Sequence, residues 1–155
     1  MFQVKDSIHI EAPVERVFRL STHVELVRQT LQMRPVAGRT SGRVVAGDTV
    51  EWRGWKFGFP QMHTSVISGY EAPVFFQDTQ LRGRFRQFQH DHHLQAEDAG
   101  TVASDEVRFS LPFGGVGQVV AKRVMVPLIA RLLRQRFGLL KRLAEGEGWR
   151  EYVED

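Results

Sequence analysis

The sequence predicts an α+β fold: a strongly curved antiparallel sheet of about seven strands, two short helices after the first strand, and a long C-terminal helix across the concave face. Three observations carry this. An alternating apolar run at residues 2–11 gives way directly to helical spacing. Residues 34–111 are short β-prone runs punctuated by Gly, Pro and Asp. Residues 118–145 then carry a leucine-rich stripe at helical spacing.

In FQVKDSIHIE, Phe2, Val4, Ile8 and Ile10 keep one phase, as a strand with one apolar face requires. APVERVFRL follows. Pro13 suits a first helical turn, Glu15 favours the positive end of the helix dipole, and Val14, Val17 and Phe18 recur at helical spacing. A second short helix covers Val24 to Leu31. The runs VEWRGWKFG, MHTSVISGY, VFFQDTQL, RFRQFQHDHHLQ and TVASDEVRFSL are separated by connectors of two to five residues, too short for parallel crossovers, so they read as an antiparallel meander. PFGGVG matches neither a dinucleotide fingerprint nor a P-loop and reads as a flexible connection. The last helix runs from about Gln118 to Glu145, with Val124, Leu128, Ile129, Leu132, Leu139, Leu140 and Leu143 on or near one stripe. Pro127 demands a kink or a fresh start in it.

At 155 residues the chain reads as one domain, 1–155, large enough to bury about two-thirds of its unfolded surface. The absence of cysteine excludes disulfides, thiolate catalysis and Cys-ligated zinc or iron–sulfur clusters. MFQVKDSIHIEAP does not resemble a secretory signal, and no segment approaches a membrane span, so a cytoplasmic location is expected. The net charge of +3, from 21 basic against 18 acidic residues, gives no argument for nucleic acid.

The strand followed by APVERVF, the GDTVEWRG…FG stretch, YEAPVFFQDTQLRGRFRQFQHDH, and GTVASDEVRFSLPFGGVG leading into the helix together resemble the START/SRPBCC superfamily. This is the helix-grip fold of lipid-transfer domains, aromatase/cyclases and pollen-allergen-like proteins, and the chain looks most like its small bacterial ligand-binding members. The resemblance covers nearly the whole chain and implies a deep, mostly apolar pocket between sheet and C-terminal helix. It implies no single reaction, because the superfamily holds carriers, sensors and enzymes.

FQHDHHLQ carries the densest candidate chemistry. Alternation puts Phe88, His90, His92 and Leu94 on an inward face and Gln89, Asp91, His93 and Gln95 on an outward, solvated one. A metal needs at least a third ligand; Asp78, Asp105 or Glu106 lies on a neighbouring strand, but the register is open, and neither a metal nor a cofactor is expected. If the turn near Asp98–Gly100 sets residue 92 opposite residue 105, His92 and Asp105 become an oriented acid–base pair. Asp78 either faces inward and needs a partner or lies near the strand's open end.

Trp52 and Trp55 fall on opposite faces, as do Phe75 and Phe76; one of each pair is inward, and Phe57 and Phe109 read as core. Arg82, Arg84 and Arg86 around Gly83 read as a solvated hairpin tip rather than an anion clamp. Lys122, Arg123, Arg131, Arg134, Arg136, Lys141 and Arg142 read as the outer, solvated face of the last helix.

The expected function is binding of a small hydrophobic or amphipathic molecule, lipid-like or polyketide-like, on a wall of Trp52, Phe76, Phe88, His90, His92, Leu128 and Leu132. The first rival is a metal-independent cyclase or dehydratase, with His90 or His92 as acid–base and Asp105 or Asp78 as orienter. The second is peripheral attachment to a membrane through the basic helix, without stable insertion. A homodimer is compatible with everything in the sequence.

Overall fold

In the computed structural model, which describes residues 1–153, the chain opens with β1 (Phe2–Ile10), α1 (Val14–Ser21) and α2 (Val24–Leu31). Six strands follow: β2 (Arg34–Gly38), β3 (Thr49–Lys56), β4 (Phe59–Glu71), β5 (Phe75–Arg82), β6 (Gln87–Glu97) and β7 (Gly100–Ser110). The chain then runs through α3 (Gly114–Val120) and α4 (Val126–Glu145) to a 3₁₀ turn at Gly148–Glu151. All strand pairs are antiparallel, in the order β1-β7-β6-β5-β4-β3-β2, so each strand from β3 onward folds back on its predecessor and β1 closes against β7. The seven-stranded sheet, the two short helices and the long C-terminal helix are the helix-grip architecture the sequence predicts.

Two predictions about the C-terminal segment are refined. A π turn, Ala121–Met125, joins α3 to α4, and Pro127 lies in the first turn of α4, where a missing N–H removes little. The expected interruption therefore exists. PFGGVG, however, is not a loose connection, because α3 begins inside it at Gly114. Phe113 and Gly114 take positive φ (74° and 52°) to turn the chain, and a Cβ at Gly117 would lie 1.9 Å from the Pro112 carbonyl oxygen. These glycines make a tight corner possible.

The buried core splits into two groups. One gathers Phe18, Leu20, Leu26, Trp52, Phe76, Leu94, Phe137 and Leu140 under α1, α2 and the C-terminal half of α4. The other joins Val4, Val107, Phe109, Ala121, Ile129 and Leu133. The buried stripe of α4 is thus Ile129, Leu133, Phe137, Leu140 and Ala144, while Leu128 and Leu132 lie beside it. Phe88 packs on the second group and Leu94 belongs to the first, so along β6 His90 and His92 fall where the apolar core is interrupted.

Three sequence expectations are overturned. Phe57 is not core: it takes φ 58° in the β3–β4 turn and is 60% exposed. Arg136 does not lie on the solvated face of α4. At 7% exposure it occupies the buried stripe, seven residues after Ile129 and three after Leu133. Asp91, assigned to a solvated face, is buried beneath Gln77 and Gln89, whose amides donate to its Oδ1 at 2.7 and 3.1 Å.

Candidate functional site

Between sheet and helices lies a cavity of about 530 Å³. All seven residues expected on its wall, Trp52, Phe76, Phe88, His90, His92, Leu128 and Leu132, line it. Alternation decides which member of each aromatic pair arrives there. Trp52 is 4% exposed and faces the cavity, whereas Trp55 is 71% exposed. Phe76 faces inward, and Phe75 stacks on His93 across the outer surface at 4.9 Å between ring centres. Phe109 is buried core, as expected.

The polar part of the wall rests on two register facts. The two-residue turn Asp98-Ala99, with φ 50° at Asp98, sets His92 opposite Asp105, and β5 sets Asp78 opposite His90. The shortest contacts nevertheless run diagonally. His90 Nε2 donates to Asp105 Oδ2 at 3.0 Å, and His92 Nε2 donates to Asp78 Oδ2 at 3.0 Å, since a carboxylate only accepts. The direct pairs are longer: His92 Nδ1 to Asp105 Oδ2 is 3.3 Å, and His90 Nδ1 to Asp78 Oδ2 is 3.9 Å. Each imidazole thus stands between the same two carboxylates. The rings are held by stacking, His92 on Phe76 at 3.9 Å and 7°, and His90 on His92 at 3.8 Å.

Arg136 completes the group from α4. Its Nε lies 3.4 Å from Asp105 Oδ2, and its Nη2 donates to the Ser21 carbonyl at 3.2 Å and approaches His92 Nδ1 at 3.5 Å. With both carboxylates ionised and the guanidinium charged, one further proton on the imidazole pair makes this buried group neutral. The pKa directions agree. Burial would lower His92, but the Asp105 charge and the hydrogen bonds to Asp105 and Asp78 raise it above the usual imidazole value. His90 is lowered, first by burial and then by the neighbouring His92 charge. Burial would raise Asp105, yet the charges of His92 and His90 and their hydrogen bonds hold it well below the usual carboxylate range. Asp78 is lowered against the effect of burial, chiefly by the His92 hydrogen bond.

Sequence reasoning does not mark Arg136 or His63 as site residues. His63 lines the cavity from β4, packs edge-on to Phe88 at 5.3 Å, and has a pKa lowered by burial. Its phase with Ser65 and Ile67, both buried, was readable as an inward face. Glu106, a third-ligand candidate, points to the opposite sheet face and bonds Gln3 and Arg108. The three hairpin arginines are exposed between β5 and β6; Arg84 reaches the cavity edge and donates to the Pro60 carbonyl at 3.0 Å, and the three form no joint clamp on the cavity.

Residues 1–145 match the family described as "Polyketide cyclase / dehydrase and lipid transport". The chain belongs to that family. It is an SRPBCC-type, START-like member, in agreement with the resemblance read from its motifs. Among solved structures it is similar to TTHA0849 from Thermus thermophilus, with 19% identity, a TM-score of 0.67, and coverage of 99% of this chain and 100% of that one. It is also similar to the major latex-like protein 151 from Panax ginseng, with 10% identity, a TM-score of 0.66, and coverage of 94% and 98%. DR_A0006 from Deinococcus radiodurans shares the fold at 13% identity and a TM-score of 0.63, with coverage of 93% and 98%. At these identities the likeness is one of fold. No curated protein matches the chain by sequence. Among the described residues, no helix is long and apolar enough to cross a membrane.

Proposed function

We propose that this family member binds a small apolar or amphipathic molecule in the cavity, with the molecule's polar group on His90 and His92 and its body against Trp52, Phe76, Phe88, Leu128 and Leu132. The observation that carries this reading is one cavity of about 530 Å³ with a mostly apolar and aromatic wall, on which Asp78, His90, His92 and Arg136 form a cluster of interacting polar groups. Ligand cavities of about 300–1,000 Å³ with a few convergent polar groups are the usual form of a small-molecule site. His90 Nδ1, 3.9 Å from Asp78 Oδ2, is too far for a hydrogen bond to it and, in a neutral ring that donates through Nε2, can accept one from a hydroxyl or other donor of the bound molecule.

The test uses 1-anilinonaphthalene-8-sulfonate on the full-length chain. Leu128→Trp, which narrows the cavity, is expected to weaken dye enhancement markedly while the melting temperature is kept. Dye binding indifferent to Leu128→Trp overturns the reading. Native mass spectrometry of protein purified without detergent identifies any co-purifying molecule. Alanine at His90 and at His92 separates a carrier from the cyclase or dehydratase rival: a carrier keeps most of its affinity, whereas a catalyst loses turnover and retains binding.

A second reading, loading at a membrane surface, is favoured by the cavity mouth. Phe57, Phe59, Val120 and Val124 line the cavity and are exposed. Lys56, its pKa lowered by burial and by the nearby Arg131 charge, lies beside them. Exposed apolar side chains rimmed by cations suit an anionic bilayer. Arg134, by contrast, is engaged with Asp6 at 2.6 Å, so the mouth rather than the whole basic helix is the contact this reading uses.

A further inference from the structure

His90 and His92 have the His–x–His spacing of a metal-binding strand, and the fold supplies the third ligand that the sequence leaves open. Asp78 faces them from β5, and one ligand atom from each of Asp78, His90 and His92 lies within 4.8 Å of the others. Asp78 Oδ2 is 3.0 Å from His92 Nε2 and 3.9 Å from His90 Nδ1. An ion held at about 2.0–2.2 Å from nitrogen and oxygen ligands needs them roughly 3–3.5 Å apart. The two distances to Asp78 bracket that range.

The far sides of the two rings carry a second, independent observation. His90 Nε2 and His92 Nδ1 both lie on Asp105 Oδ2, at 3.0 and 3.3 Å. A metal-ligating imidazole almost always gives its other N–H to a carboxylate, carbonyl or water, which fixes the tautomer and the ring orientation. Here one buried carboxylate serves both rings, and Arg136 holds that carboxylate in turn at 3.4 Å. Because His90 donates through Nε2, a neutral ring leaves the Nδ1 lone pair free toward Asp78. Asp78, His90 and His92 line the cavity, while Asp105 stands behind them. The open side of the triad therefore faces the cavity.

We propose that Asp78, His90 and His92 form a mononuclear site for a divalent transition-metal ion of the zinc, cobalt or iron(II) class, with Asp105 as its shared positioning carboxylate. Two imidazoles and one carboxylate, without thiolate, suit these ions better than calcium or magnesium, which prefer oxygen ligands. The ion replaces the proton between His92 Nε2 and Asp78 Oδ2, and that proton leaves to solvent. Three protein ligands leave at least one coordination position for water or for a ligand oxygen in the cavity, where the ion would polarise a carbonyl.

Chelator-treated, untagged, full-length protein titrated with Co²⁺ and Zn²⁺ tests this by visible absorption and calorimetry. A single equivalent is expected, with ligand-field bands of low-coordinate cobalt that Zn²⁺ bleaches. Asp78→Asn and His92→Ala are expected to weaken binding by about 100-fold or more, and Asp105→Asn by about 10–100-fold. His93→Ala, on the opposite sheet face, should leave affinity unchanged. Circular dichroism establishes that each variant is folded, and His90→Gln substitutes for His92→Ala should the latter not fold. Absence of Co²⁺ binding to the folded native chain, affinity unchanged in Asp78→Asn, or loss of the site in His93→Ala overturns the proposal. The dye test is run on chelated protein, so failure of the metal site and failure of the ligand reading are separable.

Discussion

At one part of the cavity wall and just behind it, two carboxylates, two imidazoles and a guanidinium are withdrawn from water; at the mouth, Phe57 and Phe59 hold large apolar surfaces in it. Both arrangements are unfavourable taken alone. The buried group is tolerated because each charge meets an opposite one within 4 Å and the set can reach neutrality. The exposed aromatics have no such compensation within the molecule. The difference teaches that the polar cluster is built into folding stability, whereas the mouth is almost free to change without unfolding the chain.

The largest effects should come from the interior. Trp52→Ala is expected to destabilise by about 3–5 kcal/mol, as removal of a buried indole does, measured by urea unfolding. Asp105→Asn on metal-free protein should cost a similar amount, about 3–5 kcal/mol, because it leaves the Arg136 charge buried without its carboxylate. Adding Arg136→Met to that variant should restore part of the loss. Strict additivity of the two changes in the double-mutant cycle would dissolve the electrostatic account of the cluster.

Smaller effects are expected at the mouth. Phe57→Ser with Phe59→Ser should leave the unfolding midpoint nearly unchanged but reduce flotation with phosphatidylglycerol vesicles by about tenfold or more, since each ring transferred from water is worth about 1.5–3 kcal/mol. Flotation should also fall with salt if Lys56 and Arg131 contribute. Equal binding to phosphatidylcholine vesicles at high salt would remove the cationic part of that reading. Trp55→Ala is the smallest change, within about 0.5 kcal/mol in stability. A larger loss there would erase the contrast with Trp52.

Much of this arrangement was legible beforehand. The period of two in β3, β5 and β6 sorts Trp52 from Trp55, Phe76 from Phe75, and His90 and His92 from His93, because successive strand side chains have no choice but to alternate. Turn chemistry at Asp98-Ala99 allowed the pairing of His92 with Asp105 as one register among several. At Arg136 the sequence points to the wrong face, although its offset from Ile129 and Leu133 follows the stripe of α4, because charge argues for solvent and only a buried carboxylate on another element reverses that argument. Phe57 was misplaced for the converse reason: an apolar side chain at a turn has no packing partner unless another element passes over it.

What the sequence determined by itself is therefore what local periodicity governs: the order of the elements, the sheet face each strand residue takes, and the mostly apolar character of the wall. Tertiary structure alone decided which charges meet. Asp78, His90, His92, Asp105 and Arg136 come from β5, β6, β7 and α4, and their contacts run along diagonals between strands and from helix to sheet. Distances of this kind are set by strand register and helix placement, and these depend on the packing of the whole core rather than on any local stretch of chain.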